Sequence, residues 1–180
     1  EYAFGQDGPV LIRYPKAECG QDYSGVEAPL VPGRGVFVRQ HGSPILILSV
    51  GGILSQAEEA SILLSQQGID TDLYNLRFLK PLDEEHLKEV VAPYKAILLV
   101  EEASRQGGMG ERIGSLLHEW RGIYGHLGAP DSFIPHASRD ELLEEYGLDG
   151  KGIASAVLGL VEEGNVFHRR ILSVRKSSVR

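Results

Sequence analysis

Ala96 to Trp120 reads AILLVEEASRQGGMGERIGSLLHEW, and this stretch decides the fold. Ala96 to Val100 is an apolar run too short for a core helix and suited to a buried strand. Glu101 and Glu102 end the run. Gly107, Gly108 and Gly110 follow, where the backbone can turn sharply or approach a neighbour closely. Ile113, Leu116, Leu117 and Trp120 then recur at helical spacing. The unit is strand, glycine turn, helix. In open α/β sheets such turns lie at the carboxyl ends of strands, where functional surfaces gather.

Gly108, Gly110 and Gly114 also give G-x-G-x-x-x-G, a loose cousin of the dinucleotide fingerprint. Glu101, Glu102 and Glu111 would repel a pyrophosphate, and the acid expected after a second strand is missing. The preferred reading is a tight turn that packs against another chain or domain, with Gly107, Gly108 and Gly110 at the contact.

Outward from this unit the same alternation repeats. Val36 to Arg39 reads as an edge strand. Ile45 to Val50, ILILSV, is apolar on both faces, as a central parallel strand should be. Ser55 and Glu58 match a capping box, opening a helix through Leu54, Ala57, Ala60, Leu63 and Leu64 that Gly68 stops. Ile69 to Phe78 reads as a strand. Asp83 caps a helix through Leu87, Val90 and Val91 that Pro93 stops. Ile123 to Leu127 is a further strand. The loop Gly128 to Ala137 is stiffened by two prolines. Ser138 and Glu141 form a second capping box, Gly147 ends that helix, and Asp149 starts a last one through Ile153, Val157, Leu160 and Val161. The expectation is an α/β fold, a mostly parallel five-stranded sheet with helices on both faces.

Pro9 to Tyr14 reads as a stray strand, separated from the rest by Lys16 to Gly35, rich in Gly, Pro and charge. A loop of that length is uncommon inside one domain. The expected division is therefore 1–15 as the end of a preceding domain, 16–35 as linker, 36–164 as the main domain and 165–180 as a basic tail. The chain starts at Glu1, which suggests a fragment of a longer protein.

The 180 residues carry a net charge of −7. From His168 on there are five basic residues and no acids, so the rest holds 13 basic against 25 acidic residues. An acidic body repels nucleic acid and anionic membrane. No apolar run reaches membrane-spanning length. The single cysteine, Cys19, cannot form an internal disulfide, which fits a reducing, cytoplasmic location. The six histidines show no metal-ligand spacing, and neither a nucleophile elbow nor a P-loop is present. No catalytic or metal set is expected. His136, beside Asp131, is the best lone candidate for proton chemistry, with a histidine bonding a loop carbonyl as the plainer reading. The pairs Glu58/Glu59, Glu84/Glu85 and Glu144/Glu145 read as solvated surface.

The phrases IRYPK (Ile12 to Lys16), PGRG (Pro32 to Gly35), LRFLKPLD (Leu76 to Asp83), VEEASRQGGMGE (Val100 to Glu111) and GAPDSFIPHASRDELLEEYGLDGKGI (Gly128 to Ile153) resemble the C-terminal part of 1-deoxy-D-xylulose-5-phosphate synthases. The strand and glycine turn are shared more widely among transketolase-like enzymes. The resemblance implies a homodimer that joins pyruvate to glyceraldehyde 3-phosphate with release of CO2, for isoprenoid biosynthesis, using thiamine diphosphate and Mg²⁺ held by N-terminal domains. The present chain would serve domain and dimer packing, without activity or bound cofactor of its own. The family's phosphate-binding R-Y-P-[RK] motif falls on Arg13-Tyr14-Pro15-Lys16, which makes Lys16, and after it Arg13, the implied substrate-binding residues. GGMGE departs from the family's usual GGAGS at Met109 and Glu111. The alternatives are an accessory domain of a transketolase-like or 2-oxoacid dehydrogenase subunit, and a free small-molecule or nucleotide-binding module.

Overall fold

A computed structural model describes residues 2–14 and 29–162. Within them lie strand β1 (Val36–Arg39), β2 (Ile45–Val50), helix α1 (Leu54–Ser65), β3 (Asp72–Leu76), α2 (Glu84–Val91), β4 (Ala96–Ser104), α3 (Met109–Leu116), β5 (Ile123–Ala129) and α4 (Arg139–Glu145). A last helix, α5, runs over residues 150–162. The strands form one five-stranded sheet in the order β1-β3-β2-β4-β5. β2 pairs in parallel with β3 and β4, and β4 in parallel with β5, while β1 lies antiparallel on β3. This is the mostly parallel α/β sheet that the alternating pattern predicts.

Both faces of the sheet are buried because its two central strands carry apolar side chains on both sides. Ile45 and Ile47 of β2 point into a core shared with α1, α5 and Leu143 of α4. Leu46 and Leu48 point the other way, onto α2 and α3. β4 divides likewise, with Leu98 and Val100 on the first face and Ile97 and Leu99 on the second. Truncating one of these buried side chains to Ala costs about 2–5 kcal/mol. At the amino edge of the sheet the buried Asp72 carboxylate accepts from His41 N (2.7 Å), Ser43 N (3.3 Å) and Tyr94 Oη (2.7 Å), which closes the β1–β2 loop.

α3 stops at Leu116, short of the expected Trp120; the other helix ends follow the sequence with one exception. Asp83 accepts from His86 N at 3.1 Å, Ser138 and Glu141 form the reciprocal capping box, and Asp149 Oδ1 accepts from Gly152 N at 2.9 Å. Gly68 and Gly147 take the left-handed conformation where their helices stop. The exception is the Ser55/Glu58 box, which does not form. A 3-10 turn, Gly51–Ile53, feeds directly into α1, and Ile53 already has helical dihedrals (φ −73°, ψ −5°). Ser55 therefore lies inside the first turn, whereas a capping residue needs extended backbone.

Three strand expectations are corrected. Pro9 to Tyr14 takes no regular secondary structure, and Leu11, Ile12 and Tyr14 are exposed; a strand needs a ladder partner, and this segment pairs with none of the five strands. β3 is shorter than Ile69 to Phe78, because its pairing with β2 runs only from Leu46↔Asp72 to Val50↔Leu76. β4 continues past Val100 to Ser104, through an irregularity in its pairing with β5 between Val100 and Ser104. Glu58 also departs from the solvated reading: it approaches Arg39 at 3.9 Å and is largely covered.

The chain enters the sheet through the PGRG turn. Asp83 N donates to Gly33 O (3.1 Å), Arg34 Nε pairs with Asp83 Oδ2 (2.9 Å), and Gly35 N donates to Tyr74 Oη (2.9 Å). A Cβ on Gly35 would lie 2.3 Å from Asn75 O, so only glycine permits this approach. Lys16, Cys19 and the basic tail lie outside the described residues.

Candidate functional site at the carboxyl ends of β4 and β5

β4 carries Glu101 out of the core at its carboxyl end. Its side chain is 3% exposed, and no Lys or Arg pairs with it among the described residues. Three donors satisfy it instead. Met109 N (3.0 Å) and Gly110 N (2.8 Å), from the first turn of α3, donate to its two oxygens. His126 Nε2, on the neighbouring strand β5, lies 2.8 Å from Oε1. Burial pushes the Glu101 carboxyl up, but the bonds from His126, Gly110 and Met109 outweigh it and hold the group below the usual carboxylate range.

The glycines of the turn are explained by this buried carboxylate. A Cβ on Gly108 would lie 2.4 Å from Glu101 Oε1, and one on Gly110 would lie 2.2 Å from the His126 ring. Gly107 differs: it has φ +73°, and a Cβ there would meet nothing within 4 Å. Its N–H donates to Glu111 Oε2 at 2.7 Å. Tyr124 Oη donates to Gly110 O at 2.6 Å, and burial, then the Glu101 charge, raise the phenol. The amino end of α3 is where a phosphate would sit in a nucleotide-binding turn. Glu101 already fills that place.

The sheet's switch point lies between β2 and β4, since the chain passes from β2 to β3 on one side and crosses to β4 on the other. An internal clamp spans it. The Arg139 guanidinium holds both oxygens of Glu102 and also donates to Gly52 O at 3.3 Å. The crevice that such sheets use for ligands is thereby bridged by α4.

Beside the glycine turn is an open cleft of about 520 Å³, lined in part by Arg105, Gly110, Glu111, Tyr124, His126 and Asp131. The expected His136 is exposed on the adjoining loop, bonds no loop carbonyl among the described residues and does not line the cleft. His126 lines it, and periodicity gave no reason to prefer this histidine. Its partnership with Glu101 depends on the strand register Leu99↔His126, which a single strand does not reveal. Arg13 is exposed and far in sequence from these residues. Among the described residues no three His, Cys, Asp or Glu side chains converge to hold a metal. With Glu101 filling the amino end of α3, these residues do not build a site for a diphosphate and its metal.

Comparison with known proteins gives the family. Residues 33–153 match the transketolase C-terminal domain. A 1-deoxy-D-xylulose-5-phosphate synthase of Treponema pallidum is 36% identical over 157 residues, covering 86% of this chain and 25% of that protein. The synthase of Chlorobium luteolum is 37% identical over 158 residues, covering 84% and 24%. The chain thus spans about a quarter of the length of these relatives. Among solved structures, a split-gene transketolase in an inactive beta4 tetramer superposes with a TM-score of 0.67 at 30% identity, over 76% of this chain and 46% of that one. A transketolase of Pichia stipitis shares the fold, with a TM-score of 0.57 at 21% identity over 72% of this chain and 18% of that one. With two thirds of its length matched, the chain belongs to the transketolase C-terminal domain family.

Proposed function

We propose that the chain is the C-terminal domain of a thiamine-diphosphate-dependent 1-deoxy-D-xylulose-5-phosphate synthase. In that enzyme it serves domain and dimer packing and is inactive alone. The observation that carries this reading is the extent of the likeness: identity to such synthases runs through nearly the whole chain, yet covers only about a quarter of theirs. The remainder would supply the thiamine diphosphate and Mg²⁺ site. Segment 1–15 would complete the preceding domain, with 16–35 as linker and 165–180 as a tail. The exposed, unpaired Val10 to Tyr14 fits a strand whose sheet lies elsewhere. Lys16, assisted by Arg13, would hold the phosphate of the aldehyde substrate. The open side of the turn at Gly107 would face another domain or chain, while Gly108 and Gly110 keep that turn low.

The test joins this chain to the polypeptide that precedes it. The whole protein should release CO2 from pyruvate only when glyceraldehyde 3-phosphate and thiamine diphosphate are present. The 180-residue chain alone should show no binding of thiamine diphosphate by calorimetry. Micromolar affinity in the isolated chain would sink the reading. A second reading, an accessory chain of a transketolase, is favoured by the superposition on the split-gene protein. It predicts that ketose phosphates, and not pyruvate, act as donor.

A further inference from the structure

Arg105, Glu111, Tyr124, His126 and Asp131 line one open cleft of about 520 Å³ beside the glycine turn. That is the size of a small-molecule site. The bonds each lining group already makes limit what it can offer a ligand. The Tyr124 hydroxyl is committed to Gly110 O at 2.6 Å. Glu111 Oε2 accepts from Gly107 N at 2.7 Å, and Oε1 accepts from no described group. His126 Nε2 stands 2.8 Å from the Glu101 carboxylate, which is held in its ionised form. An ionised carboxylate only accepts, so it assigns the proton of the neutral ring to Nε2 and leaves Nδ1 an acceptor. No described group bonds Nδ1.

Arg105 and Asp131 are exposed, and neither side chain bonds a described residue or the other. Arg105 is unusual in this. Arg34, Arg39, Arg112 and Arg139 each have a carboxylate partner. The cleft therefore presents one free cation and three free acceptors, two of them anionic. A ligand that satisfies all of them carries one anionic group for the guanidinium and one cationic group rich in N–H donors. A carboxylate matches the planar fork of an arginine, and a primary ammonium supplies three donors. A small α-amino acid bears both groups on one carbon. A phosphate ester lacks the cation and would meet Asp131 and Glu111 with like charge, and a polyamine would meet Arg105 in the same way.

We infer that this cleft binds a small α-amino acid, its carboxylate on Arg105 and its ammonium on Asp131, with Glu111 and His126 as further acceptors. The inference goes beyond the synthase reading and does not rest on it.

Titration of the 180-residue chain by two-dimensional 1H–15N NMR tests it, with glycine and L-alanine as probes and acetate and methylamine as their two halves. Both amino acids should shift the amides of Arg105, Gly110 and Asp131 together, with a Kd of about 1 mM, since the cleft is open to water. Acetate and methylamine, each offering half of the contacts, should bind at least about tenfold more weakly. Arg105→Ala and Asp131→Asn should each weaken the amino acids by about tenfold or more. Both side chains are exposed, so the rest of the spectrum should stay that of the wild type. Arg121→Ala, at an exposed arginine that does not line the cleft, should change nothing. Absence of shifts at these amides up to about 20 mM of either amino acid would overturn the inference. So would a half-ligand that binds as tightly as the amino acids, or a cleft variant that binds them as the wild type does. The synthase reading is decided separately, by CO2 release from the whole protein, and is untouched by these outcomes.

Discussion

Glu101 is the residue on which the carboxyl edge of the sheet depends. Its carboxylate completes the amino end of α3, orients His126 and occupies the space that Gly108 and Gly110 leave open. Glu101→Gln keeps the shape but presents an amide NH2 to groups that donate, and should destabilise the chain by about 2 kcal/mol. Urea unfolding at neutral pH measures this. The pH dependence has a definite sign. The folded carboxyl sits below its unfolded value, so its contribution is complete above about pH 4.3 and is lost as pH falls through the folded value. Stability of the wild type should therefore drop on the acid side, and Glu101→Gln should drop less steeply there. Equal acid slopes would show that Glu101 is not the group responsible. Gly110→Ala forces a Cβ into the His126 ring and should cost about 1–3 kcal/mol, whereas Gly107→Ala disturbs only a left-handed turn with open space around it. Thermal unfolding of the two variants separates them, and a larger loss at Gly107 would contradict the packing account.

Among elements, the two sequence-level capping boxes differ in fate. Ser138 stands at extended backbone (φ −66°, ψ 159°) and bonds Glu141 reciprocally. Ser55 stands inside α1, after a 3-10 turn has already supplied the helical start. Ser138→Ala should cost about 1 kcal/mol of stability, while Ser55→Ala should be neutral or slightly stabilising, because Ala is the better helix former. Chemical denaturation of both variants decides the matter, and equal losses would mean that Ser55 caps after all. The motif S-x-x-E is the same at both places. What distinguishes them is whether the chain arrives extended, and Gly51-Gly52-Ile53 makes it arrive coiled.

On the scale of the whole molecule, the domain ends are where function would be completed. Lys16 lies outside the described residues, and Arg13 is exposed on a segment with no strand partner. If the proposed synthase reading holds, Lys16→Ala in the full-length enzyme should raise KM for glyceraldehyde 3-phosphate by roughly ten- to a hundredfold, the worth of one charge-assisted hydrogen bond. KM for pyruvate, which carries no phosphate, should barely move. Steady-state kinetics with each substrate varied in turn gives the answer; an unchanged KM for the phosphorylated substrate in both Lys16→Ala and Arg13→Ala would remove these residues from the site.

The sequence by itself determined the secondary-structure order and the class of sheet. ILILSV and AILLV are apolar at nearly every position, and a strand of that kind must be covered on both faces; the helical spacings between such strands supply the covers. It also held the wording that marks the family. Tertiary structure decided what periodicity does not encode. β3 ends where β2 stops pairing with it, and Pro9 to Tyr14 joins none of the five strands. Glu101 and Glu102 look alike as neighbours in sequence, yet successive strand residues face opposite sides. One is therefore buried against α3 and His126, and the other is clamped by Arg139 from 37 residues away. Those partners come from β5 and α4, and only the pairing of the sheet and the packing of the helices bring them within reach.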